Sequence, residues 1–155
     1  KAIRRQRQMC IRDRGGTSSD DVNNTSSSET KVDKISLTSD SSSLEYSGFE
    51  TMPYEDGSSD ILGIVKFNFT NKTDSPNSAT SFYNIKAYQN GVELTWYMGN
   101  GNAACDNIYK TVLKDTSIET GFAFMLQDAE SPITVYAYDG FMSNSPYQVQ
   151  EIAIK

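Results

Sequence analysis

SFYNIKAYQNGVELTWY, residues 81–97, is the stretch whose reading decides the fold. Asn90-Gly91 at its centre is the pair that best tolerates φ > 0 at both middle positions of a two-residue type I′ turn. Before the turn Tyr83, Ile85 and Ala87 alternate with Asn84 and Lys86. After it Val92, Leu94 and Trp96 alternate with Glu93 and Thr95. Alternation with period two on both sides predicts a β-hairpin with one buried face.

Working outward, the same texture recurs. LEYSGFETM (44–52), ILGIVKFNFTN (61–71), IETGFAFML (118–126), ITVYAYD (133–139) and YQVQEIAIK (147–155) read as strands, and NIYKTVL (107–113) as a further one. Turn-rich stretches separate them: 54–60, Asn71 to Asn77, 99–102, Lys114 to Ser117 and Gly140 to Pro146. Val149 and Ile152 are out of step, which predicts a bulge in the last strand. Two-faced strands at this spacing need a second sheet to cover them. The fold class is therefore all-β: an immunoglobulin-like antiparallel β-sandwich of about seven or eight strands over residues 44–155. Trp96, Phe67, Phe69, Phe122, Phe124 and Tyr136 are the expected core, each worth about 1.5 to 3 kcal/mol on full burial.

The first 43 residues have a different character. Residues 1–14 hold six basic residues against Asp13, net +5, so the other 141 residues carry −11 of the total of −6. Met9-Cys10-Ile11-Arg12-Asp13-Arg14 resembles a translated sequencing adapter, and residues 1–14 are read as a non-native scar; a disordered basic tail and a nucleic-acid or membrane-surface arm are the alternatives. Residues 15–43 are dominated by Ser, Thr, Asp and Asn. Val22, Val32, Ile35 and Leu37 are too few to offset the ordering entropy, so a flexible linker is expected. Beyond Arg14 there is no arginine, and an acidic surface without it argues against nucleic-acid binding.

The inventory for chemistry is thin. There is no histidine, which removes the common triads, the usual zinc sites and the commonest base near neutral pH. No cofactor motif is present. Cys10 and Cys105 lie in regions of different character and are not expected to pair. Cys105 stands beside Asp106, with nothing basic to lower its pKa. Glu55-Asp56-Gly57-Ser58-Ser59-Asp60 does not have the EF-hand spacing and reads as a hairpin loop rather than a calcium site. Nine tyrosines give the only positive hint of binding, because Tyr joins apolar area to a polar tip. Tyr88, Tyr97 and Tyr138 are the expected interaction surface; the alternative is that the tyrosines only cover strand faces.

Four features then carry a resemblance: an aromatic strand ending in Thr70-Asn71-Lys72-Thr73, then Ser81-Phe82, then Tyr88-Gln89-Asn90-Gly91-Val92-Glu93-Leu94, and a later turn before an apolar strand ending at Leu126. The chain resembles an uncharacterised domain family of Gram-positive extracellular lipoproteins, the DUF5067 type. It departs from the family at Asp115-Thr116-Ser117, where a glycine is usual. The resemblance implies a sandwich on a surface tether and supplies no catalytic residues. Together with the linker it leads to the expectation of an extracellular module, joined to a membrane only through a lipid anchor upstream of the sequence. The module is expected to be a monomer without a cofactor, whose partner is a protein or a cell-wall glycan. A structural spacer and a carboxylate-dependent hydrolase are the competing readings.

Overall fold

The structure, a computed structural model, describes residues 29–55, 57–98, 101–142 and 144–155. Among these residues ten strands form an immunoglobulin-like sandwich: β1 (Glu29–Lys31), β2 (Ser36–Thr38), β3 (Ser42–Pro53), β4 (Ile61–Asn71), β5 (Tyr83–Gln89), β6 (Val92–Glu93), β7 (Trp96–Tyr97), β8 (Thr116–Met125), β9 (Ile133–Asp139) and β10 (Tyr147–Ile152). One sheet has the order β1-β10-β9-β5-β6 and the other β2-β3-β4-β8-β7. All pairings are antiparallel except β1 with β10. The alternation in β4, β5, β8 and β9 sends Phe67, Phe69, Tyr83, Ile85, Phe122, Phe124, Ile133 and Val135 between the sheets, where all are buried. Tyr83 reaches Ser42 Oγ with its hydroxyl at 2.8 Å, so its one polar atom is satisfied there.

The domain begins earlier than the composition predicts. Of the expected linker 15–43, residues 29–43 belong to the sandwich; the rest of that linker, and the expected scar at 1–14, lie outside the described residues. Ile35 and Leu37 are 0% and 7% exposed and join the main core. Their ordering does not rest on apolar burial alone. Gln150 Oε1 accepts from Ile35 N–H at 2.9 Å, Gln148 Oε1 accepts from Ser36 N–H at 2.7 Å, and Gln148 Nε2 donates to Ser36 O at 2.9 Å. The same two glutamines remove the expected bulge. β10 pairs with β9 in unbroken register from Tyr147↔Tyr138 to Ile152↔Ile133. Gln148 and Gln150 take the inward positions before Ile152, and Val149 lies on the opposite face. The bulge falls instead in β3, between Tyr46 and Gly48.

The central hairpin is half as expected. Asn90 (φ 52°) and Gly91 (φ 78°) form the turn, and Tyr88↔Glu93 and Gln89↔Val92 pair across it. Leu94 N–H still donates to Ala87 O at 2.8 Å. The chain then leaves β5 and crosses to the other sheet, where Trp96 and Tyr97 pair with Phe124 and Ala123 of β8. Val92, Leu94 and Trp96 therefore do not share one buried face. Leu94 is in the core, while Val92 is 54% and Trp96 41% exposed. Tyr136, also expected inside, sits half-buried on the outer face of its sheet.

The expected strand over 107–113 is instead a 3-10 turn at Cys105–Asn107 followed by coil, which forms one isolated bridge, Asn77↔Val112, with the β4–β5 connection. Side chains dictate this. Asn102 Oδ1 accepts from the N–H groups of Ala104 and Cys105 (3.0 and 3.3 Å), and Asn107 Nδ2 holds Glu119 O at 2.9 Å. Gly121 N–H donates to Ala104 O at 2.8 Å, so this segment closes the edge of β8.

Candidate functional site

Where the chain crosses between sheets, the sandwich stays open. β6 and β7 are two residues each, too short to seal the gap between β5 and β8, and a cleft of about 310 Å³ remains. Its floor is core: Phe122, Phe124, Ile85 and Leu94. Its rim holds Trp96, Tyr109 and Phe141, which are 41%, 50% and 62% exposed. Trp96 and Tyr109 meet edge to face at 6.4 Å. Lys86 and Glu93 form the polar side, paired at 3.2 Å, and the carboxylate beside it raises the Lys86 pKa. An apolar floor, aromatic rim and few polar groups make the usual composition of a small-ligand or side-chain pocket.

Backbone groups also point into this cleft. Leu94 N–H donating to Ala87 O shows that the odd-numbered residues of β5 direct their N–H and C=O away from β9. At Ile85 β6 has already left, so the N–H and C=O of this residue face the cleft without a strand partner among the described residues.

The expected interaction surface divides. Tyr88 and Tyr138 lie on the outer face of the β5-β9-β10 sheet with Tyr136 and Tyr147. Tyr88 meets Tyr136 at 5.1 Å, Tyr136 meets Tyr147 at 5.9 Å, and Tyr138 meets Tyr147 at 4.9 Å. Burial raises the pKa of both Tyr88 and Tyr138, and the Tyr88 hydroxyl donates to Glu93 Oε2 at 3.2 Å. Tyr97 is not part of this face. It belongs to the other sheet, edge to face with Tyr54 at 4.9 Å and packed beside Ile64, Cys105 and Ala123. Sequence reasoning missed Trp96, Tyr109 and Phe141. Phe141-Met142 did carry a signal, as two large apolar residues inside a Gly/Ser/Asn loop.

A family profile described as "Domain of unknown function (DUF5067)" matches residues 17–139, most of the chain. The chain belongs to DUF5067. No curated protein matches it. Among solved structures, this DUF5067 domain is similar to a candidate lipoprotein of Staphylococcus aureus, with a TM-score of 0.61 at 14% identity over 81% of this chain and 90% of that one. It is also similar to the candidate lipoprotein YcdA of Bacillus subtilis, with a TM-score of 0.52 at 12% identity over 77% of this chain but only 38% of that one. At such identities the likeness is one of fold.

The residues that mark the DUF5067 pattern build the fold. Asn71 is fully buried; its Nδ2 donates to Ser75 O and Val112 O, both at 2.8 Å, and its Oδ1 accepts from Thr73 N–H at 3.0 Å. The Gln89 amide ties the β8–β9 connection together, donating to Asp128 O and Ser131 O and accepting from Gln127 N–H. Within the turn Asp115-Thr116-Ser117, Asp115 has φ 59°, so that turn does use the left-handed region that glycine favours. Cys105 is buried, and burial followed by Asp106 and Glu50 pushes its thiol up to about 11, the reverse of an activated nucleophile. Among the described residues no three His, Cys, Asp or Glu side chains gather as a metal site, and no helix is long and apolar enough to cross a membrane.

Proposed function

We propose that this DUF5067 domain is a non-enzymatic binding module, held outside a bacterial cell on a tether, that takes its partner at the cleft between β5 and β8. The rim of exposed Trp96, Tyr109 and Phe141 carries the reading. Three large aromatics around an apolar floor are costly to leave in water, and a pure spacer gains nothing from them. Covering Trp96 alone would remove about 100 Å² of apolar surface from water, about 2.5 kcal/mol of gross driving force. The surface location draws support from the candidate lipoproteins that share the fold.

The test is retention on purified Gram-positive cell envelopes of the wild-type domain against a Trp96→Ala/Tyr109→Ala/Phe141→Ala variant, both first shown to melt normally. The wild type is expected to be retained and the variant to wash through. Equal retention, or none for either, would favour the spacer.

A further inference from the structure

We propose that the occupant of the cleft is an extended, cationic polypeptide segment, one residue of which completes the β-pairing that β6 abandons at Ile85. The inference rests on the cleft being the binding site and specifies what enters it.

Ile85 offers one donor and one acceptor, side by side on one residue at the floor of the cleft. A backbone donor and acceptor left without a strand partner are costly to cover with anything that does not bond them, so a complementary occupant gains more than shape. One residue of an extended peptide presents the matching acceptor and donor at the same spacing, as in any hydrogen-bonded antiparallel pair. It would lie where β6 would continue, about 4.8 Å from β5. In such a pair both side chains point to the same face, so this residue sends its side chain inward with Ile85, towards Phe122 and Phe124. Its two neighbours face outward beside Asn84 and Lys86. The peptide thus needs one large apolar residue between two polar ones. Crossing of the chain at Leu94-Thr95 closes one end of the groove and keeps the paired stretch short.

Charge selects the sign of the flanks. Residues 29–155 hold eight lysines and no arginine against seventeen Asp and Glu, net −9. Among the described residues the only cation lining the cleft is Lys86, already paired with Glu93. A basic segment is therefore steered towards this domain and an acidic one repelled.

The experiment uses blocked pentapeptides Lys-Thr-Z-Thr-Lys, with Z as Phe, Tyr, Trp or Leu, followed by the amide signals of the ¹⁵N-labelled domain and the indole signal of Trp96. At least one peptide is expected to shift the Ile85 amide and the Trp96 indole together. N-methylation at Z should weaken it at least tenfold, and N-methylation at the preceding Thr, whose N–H faces away from Ile85, should weaken it far less. Glu in place of both Lys should weaken it severalfold at low salt. If peptides shift Trp96 but both N-methyl forms bind alike and Ile85 is unmoved, strand pairing is wrong and the cleft reading survives. If N-acetylglucosamine oligomers shift Trp96 and no peptide does, the occupant is a glycan and this inference falls alone. If neither class shifts Trp96, the inference falls, and envelope retention dependent on the aromatic rim decides whether the cleft reading falls with it.

Discussion

Replacing Gly91 by Val tests the turn on which the crossing between sheets depends. Gly91 has φ 78°, and an added Cβ would meet nothing within 4 Å, so the cost is purely that of the backbone. An L-residue in the left-handed region pays about 1–2 kcal/mol, with a β-branched one at the upper end. Losing glycine's freedom in the unfolded chain returns roughly 0.5 kcal/mol. The net loss is about 1 kcal/mol, or about 3–6 °C in Tm for a domain of this size. Asn tolerates this region, so Gly91→Asn should lose less than half as much. Thermal melts followed by circular dichroism, with urea unfolding to confirm an unchanged m-value, give both numbers. A Val variant that melts like the wild type would refute the turn assignment. An Asn variant as unstable as Val would show that space, not φ, limits the position.

Three further outcomes follow from the same structure. Thr120 Oγ1 is the buried side-chain polar atom without a partner among the described residues, so Thr120→Val, which keeps the shape and removes the hydroxyl, should stabilise the domain by about 1 kcal/mol in urea unfolding. Gln150→Leu should cost about 1–3 kcal/mol despite being more apolar, because it leaves the buried Ile35 N–H unpaired; hydrogen exchange at Ile35 should quicken more than at Val135. At alkaline pH, Cys105 (raised from 9.0 to about 11) and Tyr83 (raised from 10.0 to about 12) both favour the neutral form in the fold. The unfolded chain loses these protons first, so Tm should hold up to about pH 9 and fall from there to about pH 12. Cys105→Ala should move the onset of the fall from about pH 9 to about pH 10, where Tyr83 begins to contribute; a flat Tm across the range would contradict the burial of both groups.

Long strands with a strong pattern were legible. β4 and β9 match their expected bounds, and Phe67, Phe69, Phe122 and Phe124 are in the core, because a half-buried strand cannot hide its alternation. Short edge strands were not. β1 is Glu29-Thr30-Lys31, exposed throughout, and β2 buries only Leu37, so their places are set by backbone pairing and by Gln148 and Gln150, which look like surface residues in a sequence. The candidate site was hidden for a related reason. Alternation of Val92, Leu94 and Trp96 implies one face only while the strand stays in one sheet, and nothing in Leu94-Thr95 announces the crossing that exposes Trp96. The motif Tyr88 to Leu94 was legible as a pattern, and its residues hold the turn, the β8–β9 connection and the core, while Glu93 and Leu94 also line the cleft.

Trp96 is the only tryptophan of the chain, so its emission reports directly on whether this DUF5067 domain meets its partner at the aromatic cleft. Titration with purified Gram-positive envelope material is expected to give a saturable blue shift and reduced quenching by acrylamide, both abolished by Tyr109→Ala/Phe141→Ala. Emission and quenching unchanged at every concentration, in a domain retained by that same material, would contradict it.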